Sequence, residues 1–288
     1  MEEAEELGNY LPLSFKSETE QEYIRFLWDA FETNCSHGKY QFAFLAYHML
    51  TMSCIYFNVW QIKRALPDDF QKAMVGFNKD TEKDLLSAKS PFAFWLVNES
   101  TVLRFLKLIG CDNGEIGTYA MLVKDRNSSA HPNGNIFFST QAALDAKITE
   151  ILRVVEEIQD HSKPVIEHCY RGFLLENHDP EEREYPDAAD QIREVLIHEN
   201  YLSQKDIEIC LRFDIESLAA RPDHGHMREL HDVLRTKYGT DNVRIPAIAN
   251  RHSEGWRTAI PGIANAHRSE ATRVRLCLAP ACLRSAAS

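Results

Sequence analysis

The apolar positions of this chain recur at intervals of three and four residues, which is the spacing of one face of an α-helix. Ser17 and Ser203 are each followed three residues later by an acidic residue, a pattern that predicts a helix start. Only 135–139 shows even a short alternation of the strand type, so the sequence predicts an all-α fold, a helical bundle. The predicted helices cover about 18–34, 40–62, 68–75, 80–88, 92–109, 112–131, 139–160, 164–176, 187–199 and 204–219.

The segment 40–62 carries no Asp, Glu, Lys or Arg and is long enough to cross a bilayer. Polar residues such as His48 and Asn58 interrupt it, and basic residues such as Lys39 and Lys63 flank it. The centre of a bundle also needs a helix that is apolar all round. We therefore expect other helices to cover this segment and expect no membrane partner, and the alternative is a membrane-associated helical protein.

The sequence divides into three parts. Residues 1–160 are predicted to form a helical domain, and 161–235 an additional region of C-terminal helices. The charge then changes sign, because 1–235 hold 24 basic and 40 acidic residues whereas 236–288 hold 8 and 3. This last part has no helical pattern, so we expect a flexible or non-native tail, with an Arg-rich RNA-binding arm as the alternative.

The composition is that of a soluble globular protein, with 44% hydrophobic and 26% charged residues among 288. The net charge of −11 argues against a general nucleic-acid coat protein but leaves room for RNA cleavage at a local site. Seven scattered Cys without a C-x-x-C pair indicate reduced thiols, and the acidic start resembles no targeting peptide, so a cytoplasmic location is expected. No motif for a cofactor or a metal occurs, and none is expected.

One motif indicates chemistry. Arg126, Asn127 and His131 form R-N-x3-H at the end of the helix predicted over 112–131. Asn127 and His131 share a helix face, and the long side chain of Arg126 can reach round to them. A guanidinium stabilises charge on phosphoryl oxygens, and an imidazole acts as acid or base near neutral pH. Because one imidazole is half of an acid–base pair, we expect a two-fold homodimer to complete the site.

The bare pattern R-x4-H is weak, because it occurs three times and the chain contains 12 His. The match of Arg193 with His198 lies in an acidic amphipathic helix, where a neighbouring Glu would pair the Arg. The match of Arg221 with His226 contains Pro and Gly and is predicted to be a loop. Only the first match has small polar residues between its Arg and its His.

At RNSSAH, residues 126–131, the sequence resembles the HEPN superfamily of ribonucleases. These are all-α domains with an R-x4–6-H motif, found in toxins, abortive-infection proteins and RNA-targeting CRISPR effectors. The form here looks most like that of the RNA-guided effectors and the smaller abortive-infection proteins. The resemblance is specific at six residues and is consistent with the helices of about 18–160. It departs from toxins that a nucleotidyltransferase partner silences at a Tyr, because Asn133 occupies that position.

The resemblance implies a homodimeric endoribonuclease that cuts single-stranded RNA without metal and leaves a 2′,3′-cyclic phosphate. Its catalytic residues would be Arg126, His131 and Asn127. Independently of the resemblance, the cations Lys124 and Arg104 are candidates to contact RNA phosphates near this site. The resemblance also implies a role in antiphage defence or a toxin system, with a guide RNA or an antitoxin as partner. Two alternatives stay open. One is a non-catalytic helical protein that binds RNA or has a regulatory role, and the other is that Arg126 and His131 merely cap a helix C-terminus.

Overall fold

The structure is a computed structural model that describes residues 2–239. Within this range the chain is helical and contains no strand, so the predicted all-α class is confirmed. Residues 135–139 belong to a loop, and the β-contact in the described chain is one isolated bridge between Pro12 and Ser203. The expectation for the tail over 236–288 lies outside the described residues from 240 onward.

The elements follow one another closely along the described chain. The α-helices are α1 (Glu2–Glu5), α2 (Glu18–Ser36), α3 (Tyr40–Ala65), α4 (Pro67–Ala73), α5 (Lys79–Ser87), α6 (Glu99–Leu103), α7 (Asn113–Ala130), α8 (Gln141–Asn177), α9 (Ala188–Gln191), α10 (Gln204–Leu211) and α11 (His224–Tyr238). Short 3-10 helices cover Glu6–Tyr10, Pro91–Leu96, Arg104–Ile109 and Ile215–Leu218, and a π-helical turn covers Ile192–His198.

The predicted capping boxes have different outcomes. Ser203 and Asp206 form the complete reciprocal box at the start of α10. At the start of α2, Ser17 accepts a hydrogen bond from the Thr19 N–H, but Glu20 does not return to the cap. The carboxylate of Glu20 is instead buried, where it accepts hydrogen bonds from Ser90 and Tyr201.

The segment predicted as one helix over 92–109 is broken into three pieces. Asn98 begins α6 by accepting a hydrogen bond from the Thr101 N–H at 2.8 Å, which interrupts the preceding 3-10 turn. Gly110 ends the last piece with a left-handed φ of +95°, a conformation that glycine adopts without strain. As a consequence Glu99 stands at the first position of α6.

The helices predicted over 139–160 and 164–176 are one continuous helix, α8. It contains Pro164, which removes one backbone hydrogen bond. Burial of α8 side chains along most of its length offsets this loss. The domain boundary predicted between 160 and 161 therefore falls inside a helix.

The apolar side chains form two clusters in the described chain. The larger one surrounds α3 and extends from Ala4 to Val165, with Tyr201 added, and the smaller one extends from Ile166 to Leu234. By length and composition α3 is apolar enough to cross a membrane, but 72% of its most apolar stretch is buried inside the fold. Other helices thus cover α3, as the sequence predicts.

Candidate functional site

The helix α7 carries the motif and has well-defined ends. At its start Asp112 accepts from the N–H of Glu115, and Glu115 returns a carboxylate oxygen to the N–H of Asp112 at 2.7 Å. At its end the backbone of His131 becomes extended, while its N–H still bonds the Asn127 carbonyl at 3.1 Å. The side chain of His131 is exposed, whereas that of Arg126 is partly buried.

Arg126 is held by an acidic residue from another helix. Its Nη2 lies 2.6 Å from Oε1 of Glu99 at the start of α6. The other carboxylate oxygen of Glu99 lies 3.1 Å from Nε2 of His48, which is buried in α3. Burial raises the pKa of Glu99, but the hydrogen bonds and charges of His48 and Arg126 outweigh it and hold that pKa below its usual value. The three side chains form a connected polar cluster at the edge of the core.

The sequence predicts that the side chain of Arg126 reaches round to Asn127 and His131, but in the structure it contacts Glu99. Neither a hydrogen bond nor an ion pair joins Arg126 to Asn127 or His131, because Arg126 contacts Glu99 instead. Asn127 is partly buried, and its side chain forms no hydrogen bond within the described chain. His131 is likewise without a side-chain partner in this range, which leaves both of its ring nitrogens open to a ligand.

The loop after His131 is fixed by one glutamine. Gln41 of α3 donates from Nε2 to the Ser129 carbonyl at 2.9 Å and accepts at Oε1 from the Phe137 N–H at 2.8 Å. The loop also closes on itself, because the Asn133 N–H donates to the carbonyl of His131 at 2.8 Å. The backbone that carries the imidazole is therefore held from both sides.

A cavity of about 620 Å³ lies against Glu99. Its walls include Tyr23, Tyr56, Phe92 and Trp95, and Trp95 is 72% exposed. The pKa of Tyr56 is raised to about 12, chiefly by burial and then by Glu99, while the charge of Arg126 acts in the opposite direction. An aromatic surface thus adjoins the cluster that holds Arg126.

The predicted phosphate contacts are accessible. Lys124 in α7 and Arg104 directly after α6 are both exposed, and neither forms an ion pair within the described residues. Both cations are therefore available to an anionic ligand.

The Arg residues of the other two R-x4-H matches are occupied by structural contacts. Arg193 pairs with Glu194 at 2.8 Å, as the sequence predicts, and His198 bonds Ser14 at 2.7 Å. Arg221 lies 3.5 Å from Asp223 in the loop before α11, whereas His226 lies inside α11, so the predicted loop ends at Asp223.

Sequence reasoning missed Glu99, His48 and Gln41. Glu99 is hidden in a segment predicted as continuous helix, and its cap residue Asn98 was the local signal that a helix begins there. His48 and Gln41 lie in the otherwise charge-free segment that becomes α3. Their roles depend on contacts between distant parts of the sequence, which no local pattern encodes.

Comparison of the chain with models of protein families, with curated proteins and with solved structures finds no match.

Proposed function

We propose that this protein is a metal-independent endoribonuclease of the HEPN type that cleaves single-stranded RNA at a site composed of two chains. The observation that carries the proposal is that the end of α7 presents both a fixed guanidinium and a free imidazole. Arg126 is anchored by Glu99, and His131 is exposed five residues later without a partner. In a two-fold homodimer each site would receive two imidazoles.

In this mechanism one His131 removes the proton of the 2′-hydroxyl, whose oxygen attacks the adjacent phosphorus. The bond to the 5′-oxygen breaks, and the partner's His131 gives that oxygen a proton. The products are a 2′,3′-cyclic phosphate and a 5′-hydroxyl. Asn127, on the same helix face as His131, is available to orient a phosphate oxygen or a ribose hydroxyl.

Arg126 stabilises the charge that grows on the phosphoryl oxygens. A guanidinium has five N–H donors, and the contact with Glu99 leaves others to face a phosphate. Glu99 fixes the orientation of the group and is a positioning residue. His48, which holds the far oxygen of Glu99, supports the same arrangement from the core.

Single-stranded RNA suits this surface because its unpaired bases can stack on aromatic side chains. Trp95 and Tyr23, in the cavity beside Glu99, would supply that surface. The exposed cations Lys124 and Arg104 would contact phosphates of the bound RNA. A role in antiphage defence or a toxin system, with a guide RNA or an antitoxin as partner, belongs to the same proposal, as does a cytoplasmic location.

The test compares the purified wild-type protein with His131→Ala and Arg126→Ala on single-stranded RNA in the presence of EDTA. We expect the wild type to leave 2′,3′-cyclic ends and each variant to lose roughly 10²-fold or more in rate. DNA lacks the 2′-hydroxyl and should stay intact. Arg193→Ala and His198→Ala are the matched controls and should retain cleavage.

Two outcomes would reject the ribonuclease proposal: cleavage that needs neither residue, or no cleavage by the wild type. RNA that binds without being cut would then favour the alternative, a non-catalytic helical protein that binds RNA or regulates. Analytical ultracentrifugation of the same samples checks the expected homodimer.

A further inference from the structure

Three side chains of the types that bind zinc meet where α7 begins. They are Cys111, Glu115 and His161, and their sulfur, carboxylate oxygen and imidazole nitrogen lie within 4.8 Å of one another. Oε1 of Glu115 is 2.9 Å from Nε2 of His161. No other group of this kind is present in the described chain. We call these three residues the α7–α8 cluster.

The backbone holds the α7–α8 cluster in place. Gly110 makes the left-handed turn that delivers Cys111 to the end of the helix, directly before the cap residue Asp112. Glu115 uses Oε2 for its capping bond to the Asp112 N–H, which fixes the carboxylate and directs Oε1 to His161. Hydrogen bonds of this kind orient the ligands of metal sites.

A neighbouring hydroxyl is poorly satisfied. Tyr119, one helical turn after Glu115, is 1% exposed, and no described residue makes a hydrogen bond of normal length and angle with its hydroxyl. Its pKa is raised first by burial and then by Cys111, Glu157 and Glu115, and Cys111 and Glu157 lie close enough for only weak hydrogen bonding with it. A buried hydroxyl without a good hydrogen bond is costly. A water molecule bound to a metal in the cluster would supply a better partner.

We propose that Cys111, Glu115 and His161 bind one zinc ion, with water as the fourth ligand. Thiolate, imidazole and carboxylate together are typical of zinc, whereas magnesium and calcium select oxygen ligands. Ligand atoms about 2.0–2.3 Å from one ion lie roughly 3–4 Å apart, so the cluster needs only a small contraction. The side chains of Glu115 and His161 are 33% and 28% exposed, which gives the ion a path from solvent.

Binding replaces the hydrogen bond between Glu115 and His161 with two metal bonds. The Cys111 thiol loses its proton to solvent, and the His161 ring carries its proton on Nδ1 so that Nε2 is free, which makes the ligands a thiolate and a neutral imidazole nitrogen. The ion would join the start of α7 to α8, a structural role. Because α7 is 18 residues long, this site lies about 25 Å from His131, so the inference is independent of the proposed ribonuclease activity.

The test is a titration of the full-length protein with Co²⁺, which reports a thiolate ligand by an intense near-ultraviolet absorption band. We expect saturation at one ion per chain and displacement of the band by Zn²⁺. Cys111→Ser should abolish the band. Cys35→Ser and the double variant Cys277→Ser, Cys282→Ser are matched controls and should keep it.

Thermal unfolding gives a second readout. At a hundredfold excess of Zn²⁺ over its Kd, the unfolding midpoint should rise by roughly 5–10 °C in the wild type. If Cys111→Ser does not fold, the binding of Co²⁺ by His161→Gln tests the proposal instead. The ring of His161 is partly exposed, so this variant should fold, and loss of the ligand should weaken metal binding at least about tenfold. Absence of the band in the wild type, or a band that persists in Cys111→Ser, would overturn the proposal.

Discussion

Arg126 and His131 lie five residues apart in surroundings that suit two different tasks. A group that stabilises charge must be fixed before the reaction, and Glu99 fixes Arg126. A group that moves protons must reach the substrate, and His131 is exposed.

The pKa of Glu99 is lower in the folded protein than in the unfolded chain. Its ion pair therefore stabilises the protein above the unfolded pKa, and this contribution is lost as the pH falls through the folded pKa.

Replacing Glu99 tests the positioning role. Glu99→Gln keeps an acceptor for Arg126 but removes the charge, so the guanidinium should lose its fixed orientation. We expect kcat to fall about tenfold with a smaller change in KM, because the interaction is used mainly in the transition state. The control is Glu22→Gln on the exposed face of α2, which should behave as wild type. An unchanged kcat in Glu99→Gln would show that Arg126 needs no anchor.

Helices with a clear polar cap at the start were predictable to within two residues. The predicted ranges 18–34 and 112–131 correspond to α2 and α7, because each has a polar cap at its start and a loop after its end. The three-way break over 92–109 has one local signal, the cap residue Asn98, but apolar periodicity continues across it and hides the break. The continuity of α8 was also hidden, because only tertiary burial outweighs the cost of Pro164.

The candidate site shows the same limit. The motif residues are close together in the sequence and could be found from it. The residues that hold them in place, Glu99, His48 and Gln41, are far from them in the sequence and could not. Gln41 is 88 residues from Ser129, and His48 is 51 from Glu99. Such pairs are set by how α3 packs, which the periodicity of single helices does not specify.

The loop after α7 can be tested through Gln41. Gln41→Ala removes both hydrogen bonds that hold the loop, so we expect faster proteolytic cleavage between 131 and 137 and a rate of RNA cleavage lowered by roughly tenfold. The loss of overall stability should be modest, about 1–3 kcal/mol for two hydrogen bonds. Gln71→Ala in the exposed face of α4 is the matched control. An unchanged rate of proteolysis of the loop would contradict the role of Gln41 in holding it.

At the scale of the whole molecule, one buried carboxylate connects three helices. Oδ2 of Asp206 accepts from the Gln61 side chain at 3.0 Å and from the Ser203 N–H at 2.9 Å, and Oδ1 accepts from Gln159 at 2.7 Å. These partners lie on α3, α8 and the start of α10. Burial raises the pKa of Asp206 although all of these donors favour its charged form.

Every one of these neighbours donates, so Asp206→Asn would place an amide N–H₂ against a donor. We expect the free energy of unfolding to fall by about 1–3 kcal/mol, the usual cost of an unsatisfied buried group. Urea denaturation monitored by circular dichroism measures it. Asp84→Asn, on the exposed face of α5, should change stability by less than about 0.5 kcal/mol. If Asp206→Asn and Asp84→Asn were equally stable, the donors around residue 206 would have rearranged and the prediction would be wrong.

The interruption in α8 has a consequence for how the molecule opens. Pro164 removes a backbone hydrogen bond next to the point where one apolar cluster ends at Val165 and the other begins at Ile166. A cooperative unit of unfolding usually coincides with one such cluster. Native-state amide hydrogen exchange should therefore resolve two units, and the smaller one, which buries less apolar surface, should exchange first. The region of α7 and His131 would stay folded while the C-terminal helices open and close.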